Sequence, residues 1–296
     1  MLEFHTLDVF TSIPFQGNPL AVVMGADDLT PAQMQTIARE FNLSETIFVQ
    51  PPQNPAHTAR VRIFFPTDEI PFAGHPTIGC AIHLACAVHS GDFTTIITLE
   101  EQAGLVPVTV TGQGADVQAE FTAPIIPHAA PGVADPVLIA AALGIDAAHI
   151  GYGAHHPGIW QGGPSYLIVP LVNATALSAA APQQPFWSVL MAQAQTDSAY
   201  LYTPGTDCDY QTRMFSPTAG IPEDPATGSA AAIFAAQLLA SGALRHGTTA
   251  LTLHQGVQMG RPSRIGLTVD VAAQQLTAVR IKGTAVPISA GRICIP

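Results

Sequence analysis

The chain has 296 residues, with 10 Lys and Arg against 21 Asp and Glu, which gives a formal net charge of −11. Only 10% of its residues are charged and 48% are hydrophobic, whereas an average soluble domain has about 25% charged residues. This composition excludes intrinsic disorder, which requires low hydrophobicity and high charge. It also argues against a nucleic-acid partner or a membrane-surface patch, because there is no stripe of basic residues to neutralise phosphates.

The cysteines and histidines show no pattern that predicts a metal site. The four cysteines form no C-x-x-C pair, and no Cys/His/Asp cluster has zinc-like spacing. The first residues lack the basic and apolar regions of a leader, and no apolar run reaches the roughly 18 residues of a membrane span. We therefore expect a cytoplasmic protein without disulfides, metal or membrane contact.

The first half of the chain predicts an alternation of strands and helices. A helix should begin at Thr30, because Pro31 suits the first helical position and Gln33 completes a capping box. Its apolar face comprises Met34, Ile37, Ala38 and Phe41. Strands are predicted at residues 2–9, 20–23, 46–49, 61–65, 94–99 and 106–111, the last two as a hairpin or neighbouring strands.

The second half predicts the same mixture. Helices are expected near residues 135–144 and 186–194. Strands are expected at residues 166–169, 199–202, 213–215, 250–254, 265–271, 276–281 and 285–288. Residues 124–136 are rich in Pro and Ala and are typical of a linker. The chain is therefore predicted to be a strand-rich α+β protein.

An internal repeat divides the chain near its middle. Residues 62–71 (RIFFPTDEIP) and 213–222 (RMFSPTAGIP) match at six of ten positions with an offset of 151 residues. Two weaker matches, residues 17–23 with 162–169 and residues 45–49 with 197–201, occur in the same order. Three landmarks in one order predict two homologous domains.

Each repeat leads into a helix that is apolar on nearly every face, at residues 77–88 and 230–240. Such helices are buried. Their starts, GHPT at 74–77 and ATGS at 226–229, suit an anion, because the first N–H groups of a helix have no internal partner and glycine lets a ligand approach. An anion site of this kind fits a chain with one lysine and nine arginines. The alternative is tight helix packing with ordinary capping by Thr77 and Ser229.

Ionisable residues stand beside these helix starts. His75 opens the first helix and Asp224 precedes the second, where Ala73 is the equivalent residue of the first half. A carboxylate and an imidazole shielded from solvent can move protons at neutral pH. Glu45 opens a strand after an amphipathic helix; considered alone, it would be an exposed carboxylate at a helix end.

Several motifs together resemble the PhzF-like family of phenazine biosynthesis, which has the diaminopimelate epimerase fold. They are DVF at 8–10, GNPLAVV at 17–23, NLSET at 42–46, FAGHPTIG at 72–79, EDPATGS at 223–229 and QGVQMGRPS at 255–263. The resemblance runs nearly end to end. It implies two pseudo-symmetric domains, each a mixed, barrel-like curled sheet around a central apolar helix, with the active site in the cleft between them.

The domain boundaries implied in this way are residues 1–124 and 125–285, with a last strand near 286–296 that returns to the first domain. Homodimers are usual in the family. Its isomerases use no metal or organic cofactor. The resemblance therefore predicts a cofactor-independent isomerase that acts by proton transfer on a small molecule bearing a carboxylate.

The same resemblance implies the site residues. Glu45 would be the general base and acid, with Asp224 and His75 as the other catalytic groups. The substrate carboxylate would be held by Gly74, Gly228 and Ser229. Closure of the domains would exclude water and raise the pKa of Glu45.

Related epimerases place a cysteine before each central helix, where this chain has Ala73 and Asp224. A two-thiol racemase is therefore disfavoured. Two alternatives to an isomerase remain: a member of the fold that binds a metabolite or protein without turnover, and a lyase that uses the same acid–base residues. The physiological substrate is not given by the sequence. Arg261 could either reach an anion or donate hydrogen bonds to backbone carbonyls.

Overall fold

The computed structural model describes residues 1–114 and 116–296, apart from the side chain of Ala219. The chain divides into two compact units. Unit 1 comprises Met1–Thr122, Arg261–Arg264 and Lys282–Pro296, and unit 2 comprises Ala123–Gly260 and Ile265–Ile281. The C-terminal end of the chain thus belongs to the same unit as the N-terminus. None of the helices in the described part of the chain is long and apolar enough to cross a membrane.

The described residues of unit 1 form a mixed sheet and two helices. Its elements are β1 (Leu2–Val9), β2 (Asn18–Val23), α1 (Pro31–Phe41), β3 (Glu45–Gln50), β4 (Ala59–Phe64), β5 (Glu69–Ile70), α2 (Gly74–Val88), β6 (Phe93–Glu101), β7 (Gly104–Gln113) and β8 (Asp116–Thr122). Strand β2 runs parallel to β3, β3 antiparallel to β4, and β4 parallel to β6. Strands β6, β7 and β8 form an antiparallel meander.

Helix α2 is the central helix of unit 1. It contacts β1, β2, β3, β6, β7 and β8, and every residue from Gly74 to Ile82 is buried. Gly79 permits the close approach of the strands, since a Cβ atom there would lie 2.6 Å from Leu20 Cδ2 and 2.8 Å from Val9 Cγ2. The sheet therefore curls around a helix whose small residues leave no room for larger side chains.

Unit 2 repeats this plan. Its elements are β9 (His128–Ala129), α3 (Pro136–Leu143), β10 (Gly158–Gln161), β11 (Ser165–Pro170), α4 (Ala174–Ala179), α5 (Phe186–Ala194), β12 (Ala199–Pro204), β13 (Tyr210–Ser216), β14 (Ile221–Asp224), α6 (Gly228–Ala240), β15 (Gly247–Gln255) and most of β16 (Ser263–Ala272). Strand β11 is parallel to β12, β12 antiparallel to β13, and β13 parallel to β15. This order matches β2, β3, β4 and β6, so the backbone pairing carries the same repeat as the sequence.

The predicted fold class is confirmed: each unit is a mixed, curled sheet with a buried apolar helix. The capping box at Thr30 and Gln33 is also present, and Asn42, in a left-handed conformation with φ of 51°, ends α1. Two expectations were wrong. Residues 276–288 lie in one strand, β17 (Gln275–Ile293), which continues from unit 2 into unit 1.

The second wrong expectation is the linker predicted at residues 124–136. This segment contains β9, a strand that pairs with β10. Sequence patterns also missed β5, β8, β10, α4 and β14. Most of these elements have only two to six residues, which is too short for a hydrophobic period to emerge.

Candidate active site

Glu45 is the first residue of β3 and is buried, with 6% of its surface exposed. The turn at Asn42 ends α1 and directs the chain into β3, where Glu45 pairs with Leu20 of the parallel strand β2. The expectation of an exposed carboxylate at a helix end, which followed from this residue considered alone, is therefore wrong. Burial instead shields a carboxylate from the water that would otherwise solvate its charge.

His75 is the second residue of α2 and is 2% exposed. Its Nδ1 atom lies 3.2 Å from Oε2 of Glu45 and 3.3 Å from Nδ2 of Asn18. Burial lowers the pKa of His75 to about 3, because the charged form would lose its hydration. The ring is therefore neutral at ordinary pH and can orient the Glu45 carboxylate without adding a charge.

Asn18 completes this group, and sequence reasoning did not assign it a role. It is fully buried at the start of β2, beside the ring of His75. A polar side chain inside the apolar run of the GNPLAVV motif is the signal that could have identified it, since buried amides need hydrogen-bond partners.

The start of α2 carries no side-chain cap. Its N-cap residue, Ala73, makes no such hydrogen bond, and the hydroxyl of Thr77 instead contacts the Ala73 carbonyl oxygen at 2.7 Å. Capping by Thr77, the alternative considered for the sequence, is therefore not the arrangement present. The N–H of Gly74, at the first position of the helix, has no partner within the helix by geometry.

Asp224 ends β14 in unit 2 and is 3% exposed. The Thr227 hydroxyl donates a hydrogen bond of 2.6 Å to Oδ2 of Asp224. The fully buried Gln255 donates from Nε2 to the Asp224 carbonyl oxygen at 2.8 Å and to Thr227 Oγ1 at 2.9 Å. These contacts fix the carboxylate of Asp224 just before α6. Neither Thr227 nor Gln255 was predicted as a site residue.

Gly228 and Ser229 are the first two residues of α6, whose N-cap residue Thr227 makes no side-chain cap. The Ser229 hydroxyl does not cap the helix either, but lies 2.9 Å from the Tyr166 hydroxyl. Unit 2 therefore places Asp224, Gly228 and Ser229 together at one helix start. Unit 1 places Glu45, His75 and Gly74 together at the other.

Arg261 has a structural role in unit 1. Its guanidinium donates to the carbonyl oxygens of Gly17 at 2.8 Å and Gln16 at 3.0 Å, and it pairs with Asp8 at 2.5 Å. Of the two interpretations of Arg261, the structure thus shows hydrogen bonds to backbone carbonyls. The buried Asp8 neutralises the arginine in this position.

Among the described residues, the structure also brings together three potential metal ligands that sequence spacing did not reveal. Ligand atoms of Asp207, Cys208 and His254 lie within 4.8 Å of one another. The Cys208 thiol donates to the Tyr210 carbonyl oxygen at 3.3 Å, and burial raises its pKa. Asp207 is 79% exposed. The arrangement thus favours a protonated thiol in a local hydrogen bond over a thiolate ligand.

Two units that each hold a buried helix inside a curled mixed sheet define a duplicated, epimerase-like class of fold. Comparison with known proteins is consistent with this class. The chain matches the family described as phenazine biosynthesis-like protein, PhzC-PhzF, over residues 7–291. A crystal structure of a PhzF-family phenazine biosynthesis protein from Bacillus anthracis superimposes with a TM-score of 0.86 at 25% identity, covering 99% of both chains.

Two curated relatives align over nearly their full length. An uncharacterized isomerase of Mesorhizobium japonicum is 42% identical, with 97% of each chain covered. The trans-2,3-dihydro-3-hydroxyanthranilate isomerase of Pseudomonas fluorescens is 38% identical, with 100% of each chain covered. The chain belongs to the phenazine biosynthesis-like (PhzF) family, and it is an isomerase of that family.

Proposed function

We propose that the chain isomerises a small carboxylate without a cofactor, by general acid–base transfer of one proton, and that Glu45 carries this proton. The observation that carries the proposal is the contact of 3.2 Å between the buried Glu45 carboxylate and the neutral ring of His75. A carboxylate held in a fixed orientation and shielded from water is a competent base towards an activated carbon.

The proposed reaction balances without an oxidant or reductant. The Glu45 carboxylate removes a proton from a carbon next to a conjugated system or a carbonyl, and the bonding electrons pass into that system. The resulting carboxylic acid of Glu45 returns the proton to another carbon of the same molecule, which gives the isomer and restores the ionised base. His75 orients the carboxylate through its Nδ1 atom, which the amide of Asn18 also contacts.

Residues of unit 2 are proposed to serve the same reaction. Asp224, which Thr227 and Gln255 hold in place, polarises the substrate or carries a second proton. Backbone N–H groups at Gly74 and Gly228 and the hydroxyl of Ser229 bind the substrate carboxylate. The positive ends of α2 and α6 favour this anion, which suits a protein with a single lysine.

The name of one relative supports a proposal for the class of substrate. The Pseudomonas fluorescens relative is named for trans-2,3-dihydro-3-hydroxyanthranilate, a ring that carries a carboxylate, an amino group and a hydroxyl group. We propose a small cyclic or unsaturated amino or hydroxy acid of this kind. Trans-2,3-dihydro-3-hydroxyanthranilate is therefore the first compound to assay.

The proposal is tested by following turnover in D₂O with wild type and Glu45→Gln. Wild type should convert the substrate to an isomer of unchanged composition, with solvent deuterium entering at the accepting carbon to the extent that the Glu45 proton exchanges before it is returned. Glu45→Gln should lose both turnover and exchange, by about 10²- to 10⁴-fold, since that is the usual contribution of a general base.

Asp197→Asn is the matched control, because the sequence repeat aligns Asp197 with Glu45 but Asp197 is exposed. It should turn over the substrate as wild type does. Undiminished turnover in Glu45→Gln would refute the assignment of the base. A product that has lost water or ammonia would show a lyase instead of an isomerase, and binding without any product would show the non-catalytic alternative.

A further inference from the structure

Glu101, the last residue of β6, is a buried carboxyl that the proposed reaction does not use. It is 8% exposed, and its Oε1 atom lies 2.7 Å from the hydroxyl oxygen of Thr77 on α2. The same hydroxyl lies 2.7 Å from the carbonyl oxygen of Ala73, the N-cap residue of α2. The side chain of Glu101 therefore reaches the first turn of the helix that begins with Gly74 and His75.

The surroundings of this carboxyl indicate a neutral Glu101. The Thr77 hydroxyl has one proton, and a carbonyl oxygen can only accept. This proton goes either to an ionised Glu101 or to Ala73, and in the second case the contact with Oε1 is a hydrogen bond only when Glu101 carries a proton and donates it. Among the described residues, Oε2 of Glu101 is buried without a hydrogen-bond partner and no cation pairs with this carboxyl, which would be costly for a charged group.

The second repeat places a neutral amide at the equivalent position. Arg60 on β4 pairs with Glu100 on β6, and Gln211 on β13 pairs with His254 on β15. Arg60 and Gln211 differ by the repeat offset of 151 residues, so the residues that follow Glu100 and His254 are equivalent. These residues are Glu101 and Gln255.

Gln255 connects its strand to the start of α6. Its Nε2 donates to the Asp224 carbonyl oxygen and to Thr227, and its Oε1 accepts from the Thr227 N–H at 3.2 Å. Glutamine has the shape of protonated glutamate and likewise offers one acceptor oxygen and a donor. In each unit, then, the last residue of the strand that follows the central helix contacts the start of that helix: Glu101 of β6 in unit 1 and Gln255 of β15 in unit 2.

We propose that Glu101 is a positioning residue that acts as a neutral carboxylic acid: through Thr77 it fixes the first turn of α2, and so the orientation of His75 against Glu45. The consequence for activity rests on the proposed function; the protonation state does not. Loss of the proton turns the donor into an acceptor that competes with Ala73 for the one hydroxyl proton, which loosens the helix start.

Burial raises the pKa of Glu101 to about 8. The titratable group on α2 that faces Glu101 is the Cys80 thiol, whose pKa is also raised by burial and by Glu101. On the strand side, Glu101 shares a surface cavity of about 380 Å³ with charged residues that already have partners or face solvent. These are Arg60, Arg62, Glu69 and Glu100.

The protonation is tested without turnover by equilibrium unfolding. Between the unfolded pKa of about 4.5 and the folded pKa of about 8, the folded state holds a proton that the unfolded state does not. Unfolding releases this proton, so the unfolding constant of wild type should rise by about tenfold per pH unit relative to that of Glu101→Gln. Infrared difference spectra should show a carboxylic-acid carbonyl band in wild type that Glu101→Gln lacks.

The matched control is Glu100→Gln, on the adjacent residue, whose carboxylate is already ionised because hydrogen bonds from Asn54 and Gln53 lower its pKa to about 2. It should keep the carbonyl band and the relative slope of wild type. Equal slopes for wild type and Glu101→Gln, together with no band lost, would overturn the protonation.

The positioning role is tested by the pH dependence of turnover. Wild type should lose activity above about pH 8, whereas Glu101→Gln should keep neutral-pH turnover within a few fold and lose that alkaline limb. Glu101→Leu, which removes the donor, should lower turnover at every pH; if it fails to fold, Glu101→Gln alone decides the outcome. An alkaline limb that persists unchanged in Glu101→Gln would overturn the positioning role.

The test separates this inference from the proposed function. Glu45→Gln reports on the reaction, while the unfolding slope and the infrared band report on Glu101 in a protein with no substrate bound. Failure of Glu45→Gln to lose turnover would leave the protonation result standing and would remove only the link to catalysis.

Discussion

The starts of α2 and α6 share one structural arrangement but carry different ionisable residues. Both helices begin with no side-chain cap on the N-cap residue, and both are held by a side chain from the following strand. The start of α2 has Ala73, His75 and Glu45, whereas the start of α6 has Asp224 and Ser229. The repeat has therefore kept the scaffold that orients the helix and has changed the ionisable groups placed on it.

The two units also differ in which ionisable groups they bury at the helix start. Unit 1 buries a neutral imidazole beside the Glu45 carboxylate and supports the helix through Glu101. Unit 2 buries the Asp224 carboxylate and supports the helix with the amide of Gln255. The residue that supports the helix start is therefore an ionisable acid, Glu101, in unit 1 and a neutral amide, Gln255, in unit 2.

After Glu45→Gln, the largest expected effect comes from removing the acid of unit 2. Asp224→Asn keeps the size of the side chain and can still contact Thr227, but it can neither carry a charge nor move a proton. Turnover should fall by about 10²-fold or more. Steady-state kinetics should show the loss in kcat with unchanged secondary structure by circular dichroism.

Ser178→Ala, on an exposed residue of unit 2, is a control that should behave as wild type. Full activity in Asp224→Asn would mean that the two helix starts do not share the reaction, and the chemistry would then belong to unit 1.

The repeated arginines should differ in their contribution to stability. Arg213 pairs with Glu223 through two hydrogen bonds of 2.8 and 2.9 Å, and its Nη1 also donates to the carbonyl oxygens of Leu177 and Ala180. Arg62 pairs with Glu69 in the same bidentate way but is more exposed.

Arg213→Met should lower the free energy of unfolding by about 3–5 kcal/mol, because it leaves a partly buried carboxylate and two buried carbonyl oxygens without their donor. Arg62→Met should cost about 1 kcal/mol or less. Urea unfolding of the two variants measures this difference. Equal costs would show that burial of the arginine is not what distinguishes the repeats.

Acid should destabilise unit 1 through His75. Its folded pKa of about 3 lies below the unfolded value of 6.5, so the stability gained by keeping the ring neutral is present above about pH 6.5 and lost as the pH falls towards 3. Relative to His75→Asn, wild type should lose up to about 1.4 kcal/mol per pH unit in this range.

Thermal or urea unfolding between these pH values provides the measurement, with the exposed His246→Asn as a control whose slope should equal that of wild type. A His75→Asn slope identical to wild type would mean that the ring is charged in the folded protein.

The smallest effect concerns the packing of the two central helices. Gly79 on α2 and Ala230 on α6 are small residues in the N-terminal half of each central helix. Gly79→Ala gains helix propensity but forces a methyl group to within 2.6 Å of Leu20, so a net loss of about 1 kcal/mol is expected.

Ala230→Gly should also cost about 1 kcal/mol, because it lowers helix propensity in a helix that already accommodates the methyl group. Calorimetry should therefore show a lower Tm for both variants. A rise in Tm for Gly79→Ala would show that Leu20 and Val9 can move away at no cost.

Much of the fold could be predicted from the sequence, since local patterns produce it directly. The capping box at Thr30 and the hairpin near residue 102 follow from contacts within a few residues. The strand at residues 2–9 could be predicted from its residue types, although its partners β2 and β17 lie farther along the chain. Short elements such as β5 and β9 could not be predicted, because they exist only through their pairing with β4 and β10.

The candidate site divides in the same way. The motifs that contain Glu45, His75 and Asp224 are visible in the chain, but their environments are not. Asn18 and Gln255 meet these residues only after folding, across separations of 57 and 31 residues. Contacts between residues this far apart in the chain cannot be predicted from the spacing of motifs.

By itself, the sequence determined the duplication, the two apolar helices and the residue types at their starts, because each depends on composition and on periods of a few residues. Only the tertiary structure decided that Glu45 is buried, that Arg261 is occupied by Asp8 and two carbonyls, and that Glu101 lies under the first turn of α2. The physical reason is that burial and charge state depend on neighbours brought together from distant parts of the chain.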